Sequence, residues 1–147
     1  MMKMVFPANP KEYLGYLGVR IATFAYLMLI VARSLIHLFA ADGGAESIAG
    51  LNTSGTSGKN LIAIFHQWGA IQLLLVTLML VLFFAYRGLT PILIFFLSLD
   101  APLRALAGMM GKIESSHTPP GEGLNWRVFY VLVVLFAVSL VKKKPKN

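Results

Sequence analysis

The 147 residues contain no cysteine. That absence excludes disulfides, thiolate metal sites, iron–sulfur clusters and lipid attachment through Cys. Charge is also scarce. Only 13% of residues are charged, against about 25% in an ordinary soluble domain. Acidic residues are the rarest charged type, six against 13 Lys and Arg. Hydrophobic residues make up 57% and the mean hydropathy is +0.73. So little polar surface excludes a disordered tail, a basic nucleic-acid-binding domain and a soluble enzyme. HExxH, P-loop and paired-carboxylate patterns are missing as well. Gly121-Glu122-Gly123 has no Rossmann context around it.

What remains is a set of long apolar runs. Residues 61–86 carry no Lys, Arg, Asp or Glu. A membrane-crossing helix needs about 20 mostly apolar residues. Three further runs occupy residues 13–40, 91–111 and 126–142. A helix in a soluble bundle keeps a polar face at period 3.6, whereas Leu73 to Phe84 has none. The expected fold is therefore all-α, a polytopic membrane protein folded as an antiparallel four-helix transmembrane bundle in one domain. The first run is too long, and lacks the cleavage site, for a signal peptide.

Lys and Arg in the short connections set the orientation. Lys3, Lys11 and Arg20 precede the first run, Arg87 lies in the tight turn after the second, and Lys142, Lys143, Lys144 and Lys146 follow the fourth. The two longer loops, around residues 41–60 and 112–125, are mixed in charge. This asymmetry predicts a bacterial-type inner membrane location with both termini cytoplasmic. The loop of residues 42–60, rich in Gly, Ser, Thr and Asn, is expected to be flexible. Thr90 is expected to cap the third helix, with Pro91 in its first turn.

Polar residues inside apolar runs are costly and mark candidate sites. Arg33 and His37 share a face of the first helix, four residues apart. His66 and Gln67 lie near the outer end of the second. Asp100 and Arg104 share a face of the third, with Pro102 between them. Pro102 cannot donate to the Ser98 carbonyl, so a kink is expected there. Counting at about 1.5 Å per residue puts Arg33, His37, His66, Asp100 and Arg104 all in the outer half of the bilayer. Arg33, His37, His66, Gln67, Asp100 and Arg104 form the expected ligand-binding set.

Several chemistries fit that set. Asp100 and Arg104 neutralise each other in a structural ion pair, and either His can hydrogen-bond across helices. Arg33 and Arg104, with Arg127, suit an anionic head group, a quinone carbonyl or a small acid. His37 and His66, at matching depth on adjacent helices, have the arrangement that haem b ligation by two His requires.

The stretch His66-Gln67-Trp68-Gly69-Ala70, the Tyr86-Arg87 turn, the Asp100 to Arg104 segment and Thr118-Pro119-Pro120-Gly121 together resemble the DoxX-like group of small four-helix bacterial inner-membrane proteins. The resemblance covers most of the chain. It implies an accessory role in redox or quinone-associated membrane complexes and carries no catalytic residues. The leading expectation is a non-catalytic accessory subunit or ligand-binding component. Its partners would be the lipid bilayer, other membrane subunits or further copies of itself, with no nucleic acid. The alternatives are a redox subunit holding haem b or quinone, and a small transporter.

Overall fold

A computed structural model describes residues 2–143, and these are helical with no strand among them. The order is α1 (Met2–Val5), α2 (Leu17–Phe39), α3 (Gly55–Ala85), a 3-10 turn at Arg87–Leu89, α4 (Thr90–Ser98), α5 (Asp100–Met110), α6 (Pro120–Gly123) and α7 (Asn125–Ser139). Lys144 and Lys146, and the side chain of Lys3, lie outside the described residues. Three stretches are long and apolar enough to cross a membrane: Leu17–Phe39, Gly55–Ala85 and Arg87–Met110. The apolar helix α7 is shorter, at 15 residues.

The helices form two antiparallel pairs, α2 against α3 and α4 against α7. Their shared core takes Val19 and Leu27 from α2, Val76 and Phe83 from α3, Leu93, Ile94 and Leu97 from α4, and Leu132 from α7. The buried hydroxyls of Thr23, Ser34 and Ser98 do not disturb this packing because each is satisfied on its own helix. Thr23 donates to the Val19 carbonyl at 2.8 Å, Ser34 to Ile30 at 2.7 Å and Ser98 to Phe95 at 2.7 Å. Large apolar side chains also point outward, among them Ile71, Leu74, Leu78 and Val81 on α3. A contiguous apolar exterior of this kind is foreign to a water-facing monomer.

The connections define two ends. At the turn end, the residues before α2 close over the 3-10 turn, and the Gly88 amide donates to the Pro10 carbonyl at 2.8 Å. Arg20 locks this end. Its guanidinium donates to the Phe83 carbonyl at 3.1 Å, to the Arg87 carbonyl at 3.3 Å and to Thr90 Oγ1 at 2.9 Å, and it stacks 4.1 Å above the Phe83 ring. Arg20 thus satisfies the Phe83 carbonyl, one of those that the end of α3 leaves without a partner in the helix.

The third run is not one helix. It breaks at Leu99, between α4 and α5. Pro102 supplies no N–H for the Ser98 carbonyl and its ring crowds that carbonyl, so the chain tightens for one turn and Leu99 N–H bonds to Phe96. The role expected of Thr90 also needs correcting. Its buried hydroxyl donates back to the Arg87 carbonyl at 2.7 Å and accepts from Arg20 instead of capping α4. The 3-10 turn runs straight into α4, so no open first turn remains to be capped. Helix α3 starts six residues before the apolar run does. Gly55 turns the chain with φ +70°, and the polar residues Thr56 to Asn60 are helical without being apolar.

At the loop end, residues 41–51 are ordered where flexibility was expected. The Asp42 carboxylate accepts amide bonds from Gly44 at 2.9 Å, Glu46 at 3.1 Å and Ser47 at 2.7 Å. These bonds hold its carboxyl down at about 2, with the Ser47 amide the largest cause. Ala45, Ala49 and Leu51 bury a small second core against Leu61 and Phe65. The two loops also join each other. The Ser116 amide donates to the Gly50 carbonyl at 2.9 Å, and His117 Nε2 donates to the Ile48 carbonyl at 3.2 Å.

A candidate anion site at the loop end

Helices α2 and α3 meet closely at Gly69. A Cβ there would lie 2.6 Å from the Leu38 nitrogen, so only glycine permits the approach. The contact brings His66 of α3 under the last turn of α2. His66 Nδ1 lies 3.1 Å from the His37 carbonyl and 3.0 Å from the Leu38 carbonyl. A carbonyl only accepts, so Nδ1 carries the proton and caps the end of α2. His37 is buried, and its Nδ1 donates to the Gly43 carbonyl at 2.7 Å. Its ring packs 4.7 Å from Trp68 and 5.7 Å from Phe65, centroid to centroid. Both histidines therefore spend a nitrogen on holding backbone. Among the described residues, no group of three or more His, Asp or Glu is placed to hold a metal ion.

Arg33 lies one turn below His37 on α2. Its Nη2 donates at 2.8 Å to the Gln72 side-chain oxygen, which also accepts from Trp68 Nε1 at 3.0 Å. The guanidinium rests 5.2 Å over the Trp68 ring. Arg33 Nε is buried without a partner. Gln67 does not join this group. It is exposed, and five residues of helix separate its direction from that of Gln72 by well over a right angle. Gln72 takes the role that the sequence assigned to Gln67.

Across from Arg33, Arg104 and Asp100 form the expected pair on α5. Arg104 Nε and Nη2 both lie 2.9 Å from the same oxygen, Asp100 Oδ2. The Asp100 side chain is about half exposed (51%) and that of Arg104 less so (27%). Asp100 is thus bound to Arg104, and Arg33 to Gln72 and Trp68. The two arginines nevertheless converge. A Cβ on Gly121 would lie 3.1 Å from Arg104 Nη1 and 3.7 Å from Arg33 Nη1. The two nitrogens therefore stand within about 7 Å of each other, the sum of those distances. Among the described residues neither Nη1 has a hydrogen-bond partner. The short α6 turn that carries Gly121 covers them. Asn125 anchors that turn to α5 by donating to the Ala101 carbonyl at 3.1 Å.

Gln72, expected from the sequence only as an interhelical hydrogen-bonder, makes such a bond to Arg33 and so joins the cluster. Tyr26, which lines the groove beside α7, was not singled out. Its spacing of seven from Arg33 places both on one face of α2 and could have revealed it.

Chemically, the cluster offers two guanidiniums with free N–H donors, one carboxylate already engaged, and no nucleophile beside a general base. Comparison with protein-family models, curated proteins and solved structures finds no match to this chain.

Proposed function

We propose that this is a non-catalytic integral membrane protein that binds an anionic group between Arg33 and Arg104. One observation carries the reading: two guanidiniums from different helix pairs converge beside Gly121, each with an Nη1 that has no partner among the described residues. Like charges so close are unfavourable unless an anion compensates them. Asp100 supplies one negative charge and leaves the pair one positive charge in excess. Arginine suits phosphate and carboxylate because its planar fork donates two parallel hydrogen bonds.

The surrounding assignments belong to the same proposal. The three long apolar stretches and α7 cross the inner membrane as four spans, α7 being completed by Leu140, Val141 and the stems of Lys142 and Lys143. The Lys and Arg distribution puts the turn end and both termini in the cytoplasm and the cluster in the outer half of the bilayer. An accessory role within a membrane complex, as in DoxX-like proteins, agrees with a site that binds without reacting.

The test is thermal unfolding of the full chain in a nonionic detergent, titrated with inorganic phosphate at constant ionic strength. Phosphate raises Tm for the wild type and fails to do so for Arg33→Gln and Arg104→Gln. An equal response in all three proteins overturns the reading.

A further inference from the structure

A long groove runs between α2 and α7. Its volume is about 920 Å³, near the upper limit of about 1,000 Å³ for small-ligand sites. Gly18, Ala22 and Ala25 make its α2 wall shallow, and Val131, Leu135 and Val138 line the α7 side. From Gly18 to Leu29 the α2 wall is about 16 Å long at 1.5 Å per residue.

The groove is apolar along its length and cationic at one end. Arg127 lines its loop-side end. Arg33 stands one helical turn beyond Leu29, the last α2 residue in the lining. Tyr26 belongs to both features. It lines the groove and, seven residues before Arg33, shares the face of α2 that leads to that guanidinium. The groove therefore runs toward the arginine cluster, with Arg127 in its own lining and Arg33 one turn beyond it.

We propose that this site holds an anionic phospholipid, one acyl chain lying in the α2–α7 groove and the phosphate met by Arg127, Arg33 and Arg104. The proposal rests on the anion-binding reading above and names the ligand class. A second copy of the chain fits less well. Two-fold pairing of this face would bring identical cationic ends together. A neutral apolar helix would leave the guanidiniums without a counter-charge. An anionic lipid satisfies both ends of the groove at once.

The experiment is native mass spectrometry of the full chain, released from micelles doped equally with phosphatidylglycerol and phosphatidylcholine of the same acyl chains. A basic residue near a membrane surface contributes about 1 kcal/mol of attraction to anionic lipid, about fivefold in affinity. The wild type should retain phosphatidylglycerol over phosphatidylcholine, and Arg127→Gln should lower that preference about fivefold. Ala25→Phe fills the groove from an exposed position of α2 and should abolish lipid retention while keeping the Tm response to inorganic phosphate. If Ala25→Phe retains phosphatidylglycerol as the wild type does, the groove is not the seat of the chain, and this proposal fails while anion binding stands. A wild type that retains both lipids equally also overturns it. So does a wild type that dimerises through this face, with Ala25→Phe monomeric and neither lipid kept. Loss of the phosphate response in the wild type itself removes the underlying reading instead.

Discussion

Replacing Asp100 by Asn removes one charge from the arginine cluster at nearly constant volume. Arg33 and Arg104 Nη1 stand within about 7 Å. At an effective dielectric of about 20, two unit charges at that distance repel by about 2 kcal/mol. The lost ion pair adds little, because Asp100 is half exposed and i,i+4 pairs contribute about 0.3–0.5 kcal/mol. The repulsion is present in the wild type as well, where the Asp100 charge offsets it; losing the offset in Asp100→Asn should cost up to about 2 kcal/mol at low salt. For a chain of this size that corresponds to a fall in Tm of about 4–8 °C. Arg104→Gln should cost less, because it removes the repulsion together with the pair. The double change Asp100→Asn with Arg104→Gln should recover most of the loss. Salt supplies an independent check. The screening length falls from about 10 Å at 0.1 M to about 3 Å at 1 M, so concentrated NaCl should narrow the gap between Asp100→Asn and the wild type. Phosphate should protect Asp100→Asn more than the wild type, since it replaces the missing negative charge. The assay is thermal unfolding of the four proteins in one detergent. If Asp100→Asn melts with the wild type at both salt concentrations, the guanidiniums do not sense each other, and the anion site loses its basis.

Four further outcomes are expected. Arg20→Gln removes charged donors from the Phe83 and Arg87 carbonyls and should lower stability by about 1.5–3 kcal/mol in the same assay; an unchanged Tm would show that these carbonyls find other partners. The Asp42 carboxyl is held at about 2, below its ordinary value. Its stabilisation of residues 42–51 is accordingly present above about pH 4 and is lost as pH falls toward 2, a change that Asp42→Ala should reproduce at neutral pH as faster amide exchange at Gly44 and Ser47. His66→Ala uncaps α2 and should destabilise the protein by about 1–2 kcal/mol, whereas protein from haem-replete cells should show no Soret band; a band abolished by both His37→Ala and His66→Ala would make the two rings axial ligands. Reporter fusions at Asn147 and within residues 53–57 should report opposite sides of the membrane, with Asn147 inside, and a periplasmic Asn147 would reverse the assigned depth of the cluster.

The apolar runs were readable because their signal is composition over about 20 residues, which survives any detail of packing. The break at Leu99 was readable from Pro102 alone, since the missing donor and the crowded carbonyl are local consequences of the ring. The pairing of Asp100 with Arg104 followed from their spacing for the same reason. What depended on two distant segments was hidden. Nothing near Arg20 marks it as the cap of a helix more than 60 residues later, and in the sequence it reads only as one more cytoplasmic charge. Gln67 enters the expected set because it adjoins His66, but the side chain that meets Arg33 is decided by rotation about α3. The order in residues 41–51 was missed because small residues carry a weak hydrophobic signal. Ala45 and Ala49 bury well only because Phe65 lies opposite. The convergence on Gly121 required the α6 turn to fold back over two helix pairs, and no local pattern encodes that.

The pairing of helices gives the arginines a mechanical meaning. Arg33 belongs to the α2–α3 pair, and Arg104 to the segment continuous with the α4–α7 pair. The α2–α3 pair is pinned at both ends, by Arg20 at one and by Gly69 with His66 at the other. Along α2 and α7, by contrast, an open groove runs outside the core that the two halves share. The two guanidiniums thus face each other across a seam, where their repulsion acts as a compressed spring. Under the proposed anion binding, an occupant would turn the spring into a latch. Occupancy would then set how tightly the halves close, and a neighbouring subunit touching only the outer walls of the groove could sense it.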